Sequence, residues 1–185
     1  MTPPGPDAHP PSSEPHLRAP TAEDGKAVHD LIARCPPLDG NSLYCNLLQC
    51  SHFADTCVLA EVDGQIAGFI SAYRLPRRPA TLFVWQVAVS APARGRGLAR
   101  RMLLELLARE ACAGVDTLET TITPDNRASW SLFTSLARAL AAPLTQATMF
   151  DRERHFQGGH ASEMLVRIGP FTTRPQTDYH RRRTA

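Results

Sequence analysis

The chain has 185 residues, 43% of them apolar, and a formal net charge of +2. This length and composition predict one globular domain with a real hydrophobic core. The small charge excludes a broad basic face for nucleic acid. No apolar run reaches the length of a membrane span, and the first residues lack the charged and apolar regions of a secretory signal. We therefore expect a cytoplasmic protein with no nucleic-acid partner and no membrane partner.

The number and spacing of the cysteines are typical of a protein in a reducing compartment. There are five of them, an odd number, and no two form a C-x-x-C pair. A disulfide framework is therefore not expected, and buried reduced thiols are. Cys35 precedes two prolines and has two interpretations, a reactive thiol or a small packed residue.

Both ends of the chain differ in composition from its middle. Residues 1–15 contain six prolines and almost no large apolar side chain, so we predict a disordered N-terminal tail. Residues 172–185 contain four arginines and one aspartate, which predicts a basic, solvated C-terminal tail. A single domain is expected between them, over residues 16–171.

In chain order, the pattern begins with a short edge strand near residue 17, a helix that ends at Pro36, and a second helix to about residue 50. Three strands follow in hairpin-length succession, with Asp63-Gly64 as a strong turn signal. The remaining predicted elements are a helix over 95–111, a strand over 117–122, a helix that begins at Asn126, a strand over 144–150, a polar loop over 151–160 and a strand over 163–168.

This order of elements indicates a fold class. Three strands joined by short turns favour antiparallel pairing, and the later strand-helix-strand unit favours one parallel pair. We therefore predict an α+β fold with a mixed, mostly antiparallel sheet flanked by helices. A doubly wound sheet is not expected.

The stretch between the third hairpin strand and the following helix is rich in arginine and glycine. It reads Arg94-Gly95-Arg96-Gly97-Leu98-Ala99. The first amides of a helix have no intrahelical partner, so a strand, a glycine turn and a helix start together favour an anion site. From these residues alone, a phosphate site and an ordinary turn with two solvated arginines both stay open.

The same turn carries a family resemblance. Arg94-x-x-Gly97-x-Ala99 after the fourth strand resembles the Arg/Gln-x-x-Gly-x-Gly/Ala signature of the GCN5-related N-acetyltransferases. A second marker of that superfamily matches in Asn126, Ser129, Leu132 and Phe133. Further segments resemble the diaminobutyrate acetyltransferases of ectoine biosynthesis: residues 38–44, His52-Phe53, residues 119–126, residues 155–163 and residues 167–171.

The resemblance implies a reaction and its partners. It implies acetyl transfer from the co-substrate acetyl-CoA to the γ-amine of L-2,4-diaminobutyrate. The product, N4-acetyl-L-2,4-diaminobutyrate, would feed ectoine synthesis, an osmotic-stress pathway. The resemblance further implies a homodimer and no metal. Two alternatives stay open: an acetyltransferase for another diamine or amino acid, and a non-catalytic sensor that binds acyl-CoA.

The resemblance also implies where coenzyme A binds. The pyrophosphate is expected on the turn, and the pantetheine arm is expected along the backbone of the preceding strand, with an oxyanion donor near Val87 or Ala88. The simpler interpretation of Asn126 is a helix cap, and this role is compatible with coenzyme binding. The expected coenzyme residues are Val87, Ala88, Val89, Arg94, Gly95, Arg96, Gly97, Leu98, Ala99, Asn126, Ser129 and Phe133.

The chemistry requires a neutral amine and a departing thiolate. The acceptor amine is an ammonium near neutral pH, so a carboxylate beside it could bind the cation and take its proton. Glu119 is the expected base or cation ligand, and Asp39 and Glu163 are the other candidates. Phe133 stands where many superfamily members have a tyrosine that protonates the thiolate, which leaves Tyr44 as a weak candidate acid.

The acceptor pocket is expected to combine three distant segments. Asp39, Asn41 and Tyr44 precede or begin the second helix and could instead be turn and cap residues. Trp85 could form a wall of the amine pocket through cation–π attraction, or be a core residue. His155, His160 and Glu163 are expected in the pocket, with plain loop polarity as the alternative. The spacing of the two histidines is poor for zinc.

Overall fold

A computed structural model describes residues 14–172 of the chain. The Pro-rich N-terminal tail and the basic C-terminal tail predicted above lie outside these residues, except for residues 14, 15 and 172. The domain predicted over residues 16–171 lies inside them.

Strands and helices follow one another in the predicted order, with one short helix added between the last two strands. The strands are β1 His16–Arg18, β2 Val58–Val62, β3 Gln65–Leu75, β4 Arg78–Val89, β5 Thr117–Ile122, β6 Leu144–Phe150 and β7 Glu163–Ile168. The α-helices of the described part are α1 Gly25–Ala33, α2 Leu43–Gln49, α3 Leu98–Leu107, α4 Arg127–Ala139 and α5 Arg152–Phe156. No helix among residues 14–172 is long and apolar enough to cross a membrane.

The strands form one mixed sheet in the order β1-β2-β3-β4-β5-β7-β6. Only β4 and β5 run parallel to each other, and α3 connects them. The other neighbours are antiparallel. This confirms the predicted α+β class with a mostly antiparallel sheet.

Two hydrophobic cores cover opposite faces of the sheet. The main core packs α3 and α4 against one face, and its helical residues include Leu98, Met102 and Leu106. Their spacing of four residues places them on one side of α3. The second core packs α1 against the other face of β2, β3 and β4, through residues such as Val28 and Phe69.

A β-bulge at Trp85 changes which side chains of β4 face each core. Ala72 pairs with Val84 and Ser71 pairs with Gln86, so Trp85 is the extra residue. Before the bulge, Val84 lies in the main core, whereas Ala88 after it lies in the second core. An extra residue in one strand has this effect because side chains alternate between the two faces with a period of two.

The two parallel strands separate beyond the bulge. β4 pairs with β5 only from Thr81 to Val84, although β4 continues to Val89. The edge of β4 that faces β5 is therefore open over its last residues. This opening lies directly before the arginine- and glycine-rich turn.

Two local predictions differ from the structure. The helix after the turn begins at Leu98 and not at Gly95, because Gly95 and Gly97 have φ values of +73° and +75°, in the left-handed region. The predicted polar loop contains α5, which Asp151 caps by accepting hydrogen bonds from the amides of residues 153 and 154. A five-residue helix is too short to produce a readable apolar period.

Candidate active site

A cavity of about 560 Å³ opens between the end of β4, the turn over residues 94–99 and the first turns of α4. The predicted coenzyme residues that line it are Val87, Val89, Arg94, Gly95, Gly97, Leu98, Ala99, Asn126 and Ser129. Cys35, Pro36, Pro37 and Leu38 close one side of it. The cavity thus joins the strand opening to the glycine turn.

The groups of the turn that can bind an anion are mainly backbone amides. Gly97 is the N-cap of α3 and provides no side-chain cap. The first amides of this ten-residue helix therefore have no side-chain acceptor and lie at the positive end of its dipole. A Cβ atom at Gly97 would meet no protein atom within 4 Å, so the exposed backbone is accessible to a ligand.

The open edge of β4 presents selected backbone groups. The Ser90 amide donates to the Ala67 carbonyl at 2.8 Å, so the backbone of Ser90 faces β3. Because alternate residues of an antiparallel strand face the same neighbour, Ala88 also faces β3, whereas Val87 and Val89 face the opening. The expected contribution of the Ala88 amide is therefore not supported, and Val87 is the better-placed donor.

The carbonyl of Val89 already accepts two bonds. Cys35 Sγ donates to it over 3.3 Å and Arg94 Nε over 2.9 Å. These contacts join the turn and the end of α1 to the end of β4. The Val89 carbonyl is consequently less available to a pantetheine amide than the backbone of Val87.

Asn126 combines the two roles considered for it. Its Oδ1 accepts a hydrogen bond from the Ser129 amide at 3.1 Å and so caps α4, while both residues line the cavity. Phe133, in contrast, is only 2% exposed and belongs to the main core. It does not line the cavity, unlike Leu132 and Ser135 of the same helix, so its contact with the coenzyme stays a prediction.

The side chain of Arg96 lies on a neighbouring surface. It borders a groove that also includes Arg100 and Arg101, next to the coenzyme cavity. The prediction placed Arg96 in the turn with its charge towards the ligand. The structure does not place Arg96 among the residues that line the coenzyme cavity, so its contact with the coenzyme stays a prediction.

The loop between α1 and α2 carries the first acceptor cluster. Asn41 Nδ2 donates to Gln86 Oε1 at 3.0 Å, and Gln86 Nε2 donates to the Asp39 carbonyl at 2.9 Å. Tyr44 follows in the first turn of α2 and is 70% exposed. Sequence reasoning missed Gln86, although a glutamine inside the apolar run VWQVAV is a visible signal.

Trp85 lies on the surface at the bulge, with 51% of its area exposed. Its alternative role as a core tryptophan is therefore wrong. An exposed indole beside the strand opening is available to contact a ligand cation.

Glu119 lies on β5, 1% exposed, and two arginines hold its carboxylate. Arg78 Nη1 and Nη2 donate to its two oxygens at 2.8 Å each, and Arg167 Nε donates to Oε1 at 2.8 Å. Burial alone would raise the pKa of the Glu119 carboxyl, but the hydrogen bonds from both arginines outweigh burial and lower it.

This geometry argues against Glu119 as the expected base. A carboxylate with a lowered pKa and two guanidinium partners is a weak proton acceptor. It is well suited to holding Arg78 and Arg167 in place. Both arginines were missed by sequence reasoning, since only the register that sets Glu119 opposite Arg167 brings them together.

The last cluster lies at the β6–β7 end. His155 Nδ1 accepts the Asp151 amide at 2.8 Å, a local contact at the start of α5. His160 Nε2 lies 4.0 Å from Glu163 Oε1. Alternation along β7 places Glu163 on the same sheet face as Arg167 and Glu119. Within residues 14–172, no three His, Cys, Asp or Glu side chains are arranged to hold a metal ion.

All five cysteines are free, and four of them are buried. Burial raises the pKa of the Cys57 thiol to about 12 and that of Cys50 to about 11. None of the five thiols is joined in a disulfide. Cys35 is buried with its thiol on the Val89 carbonyl, which favours the packed residue over the reactive thiol.

A sheet that opens beside a glycine turn, with a cavity at the opening, defines the class of acyl-CoA N-acyltransferases. The family profile described as "Acetyltransferase (GNAT) family" matches residues 25–137. The match spans more than half of the chain and includes both the turn and most of α4.

Relatives refine this class. The chain is 57% identical to an L-2,4-diaminobutyric acid acetyltransferase of Methylotuvimicrobium alcaliphilum, over 84% of this chain and 90% of the relative. It is 53% identical to the protein of that name from Vibrio cholerae, over 82% and 88%. The solved diaminobutyrate acetyltransferase of Paenibacillus lautus, in complex with its substrate L-2,4-diaminobutyric acid and coenzyme A, is 44% identical with a TM-score of 0.83, over 88% of this chain and 99% of that one. The chain therefore belongs to the GNAT family and, within it, to the L-2,4-diaminobutyric acid acetyltransferases.

Proposed function

We propose that this protein transfers the acetyl group of acetyl-CoA to the γ-amine of L-2,4-diaminobutyrate. The product is N4-acetyl-L-2,4-diaminobutyrate, in ectoine biosynthesis. The observation that carries the proposal is the coenzyme cavity beside the Asp39–Tyr44 loop, in a chain 44% identical to a protein solved with this acceptor and coenzyme A.

The coenzyme is held mainly by backbone groups. The pyrophosphate lies on the amides of residues 94–99 and at the positive end of α3. The pantetheine arm enters the opening and pairs with the backbone of Val87. The Val87 amide polarises the thioester carbonyl and stabilises the oxyanion that forms when the amine attacks.

The acceptor is held by side chains from both sides of the opening. Asp39 and Glu163 bind the ammonium groups, Trp85 contacts the cation with its ring, and Tyr44 binds the carboxylate. His155 and His160 belong to the rim on the α5 side. One amine proton leaves through water before attack, because only the neutral amine is a nucleophile.

In this proposal Glu119 is not the base. It holds Arg78 and Arg167 in place on the side of the sheet where the acceptor binds. The thiolate leaves without a dedicated acid, since a thiol of pKa about 8.5 is a fair leaving group near neutral pH. Tyr44, in the first turn of α2, stays the weak candidate donor.

A thiol-release assay tests the proposal. Acetyl-CoA is mixed with diaminobutyrate, ornithine, lysine or putrescine, and free coenzyme A is measured. We expect strong preference for diaminobutyrate. Comparable rates on all four amines would support a broader amine acetyltransferase, and binding of acetyl-CoA without thiol release would support a sensor.

We further propose a cytoplasmic homodimer with no nucleic-acid or membrane partner. The edge strand β6 is exposed along nearly its whole length and carries Met149 and Phe150 on the surface. A second copy would cover this apolar edge, which otherwise invites aggregation. Light scattering coupled to size exclusion tests this, and Phe150→Asp is expected to shift the protein towards a monomer.

A further inference from the structure

A buried glutamine interrupts the apolar run of β4. Gln86 is 8% exposed and lies between Trp85 and Val87. A buried side-chain amide is costly unless its donors and acceptor are paired, and here the structure pairs both ends. Its partners lie 45 and 47 residues away in the chain, on the loop between α1 and α2.

The bulge determines where Gln86 points. Because Trp85 is the extra residue of β4, the alternation of side chains shifts by one and Gln86 turns towards the face that carries α1 and α2. Without the shift it would lie in the main core, among aliphatic side chains. The same bulge therefore exposes Trp85 and directs Gln86 to the acceptor loop.

The orientation of the amide follows from its partners. A main-chain carbonyl only accepts, so Gln86 Nε2 must face the Asp39 carbonyl. Gln86 Oε1 is then left to accept from Asn41 Nδ2. A side chain must donate at one end and accept at the other to hold both loop residues, and neither leucine nor glutamate does so.

We infer that Gln86 is a positioning residue, which fixes the Asp39–Tyr44 loop at the distance from Val87 that acyl transfer needs. The inference rests on the proposed function. Gln86 precedes Val87, whose amide faces the opening, and it bonds the loop that carries Asp39 and Tyr44. One side chain thus connects the group that binds the acceptor to the strand that binds the thioester.

The test compares Gln86→Leu and Gln86→Glu with the matched control Ser71→Ala. Ser71 pairs with Gln86 across the strands and is also buried, and its hydroxyl has no hydrogen-bond partner among the described residues. Gln86→Leu removes both bonds to the loop. Gln86→Glu keeps an acceptor for Asn41 but sets a carboxylate oxygen against the Asp39 carbonyl.

Steady-state kinetics give the main readout. For both Gln86 variants we expect KM for diaminobutyrate to rise about tenfold, the usual consequence of losing a buried hydrogen bond. KM for acetyl-CoA should stay unchanged, and Ser71→Ala should keep both KM values. A fall in kcat alone, in proportion to the folded fraction and with both KM values unchanged, would overturn the inference.

Hydrogen exchange separates this inference from the proposed function, because it needs no substrate. Amides of residues 38–44 should exchange about tenfold faster in Gln86→Leu and at the original rate in Ser71→Ala. Equal exchange in all three proteins would overturn the positioning role even if diaminobutyrate is the substrate. Failure of the unmodified protein to acetylate diaminobutyrate would instead reject the proposed function, and the exchange result would still decide the role of Gln86.

Discussion

In the proposed function, the coenzyme side and the acceptor side of the opening are built in different ways. The coenzyme side uses backbone groups from one continuous stretch, from the end of β4 to the start of α3. The acceptor side uses side chains from the α1–α2 loop, the bulge of β4 and the β6–β7 end. A backbone site depends on local conformation, whereas a side-chain site depends on distant segments packing together.

Gly97→Val should have the largest effect. A β-branched residue at a φ of +75° is strained by about 1–2 kcal/mol, and its side chain occupies the space where the pyrophosphate approaches. We expect the Kd for coenzyme A, measured by calorimetry, to rise about 100-fold or more, the equivalent of losing roughly two charge-assisted hydrogen bonds.

Gly64→Val is the matched control, because Gly64 has a φ of +73° in the β2–β3 turn and also faces open space. It should lower the melting temperature to a similar extent and leave the coenzyme Kd unchanged. An unchanged Kd in Gly97→Val would show that the coenzyme side is not built from this backbone.

Glu119→Gln should destabilise the fold by about 2 kcal/mol, less than a fully buried pair because both arginines are partly exposed. The folded-state pKa of Glu119 is lowered, so its contribution is fully present above its ordinary value of 4.5 and is lost as the pH falls below that. Urea unfolding from pH 7 to pH 3 should show a smaller loss of stability in the variant than in the original protein, because carboxyls such as Asp24 and Glu61, whose pKa values are also lowered, remain in both.

The same variant also separates two roles. As an anchor of arginines, Glu119 should leave the pH at which kcat is half-maximal unchanged when it is replaced. A shift of the acid limb of the kcat profile in Glu119→Gln would restore the general-base hypothesis.

Trp85→Leu should raise KM for diaminobutyrate about fivefold, the loss expected for one partly exposed cation–π contact. Because Trp85 is half exposed, the free energy of unfolding should change little. The matched comparison is KM for acetyl-CoA, which should not move. An equal rise in both KM values would mean that Trp85 contributes to binding of acetyl-CoA as much as to binding of diaminobutyrate.

Cys35→Ala should have the smallest effect. It removes one weak S–H donor from the Val89 carbonyl, which still accepts from Arg94. We expect KM for acetyl-CoA to change less than about twofold, since a thiol is a weak donor. Loss of activity in this variant, with an intact melting curve, would return Cys35 to the reactive-thiol hypothesis.

The same contrast explains what could be predicted from the sequence. Element order, fold class and the glycine turn are local properties, so periodicity, turn residues and a short motif predicted them. The partners of Glu119, the role of Gln86 and the burial of Phe133 depend on strand register and helix rotation. No residue near Glu119 in the chain predicts its ion pairs with Arg78 and Arg167, which are 41 and 48 residues away.

The bulge at Trp85 also determines which residues of β4 face each side of the sheet. Removing Trp85 would give a regular strand in which Gln86 still lies opposite Ser71. Inserting one residue between Trp85 and Gln86 would instead exchange the inward and outward positions of the rest of the strand. Gln86 would then enter the main core, and Val87 would turn its amide towards β3. Catalytic geometry and hydrophobic packing therefore depend on the same odd-or-even count, so β4 is expected to tolerate substitutions here far better than the insertion of a single residue.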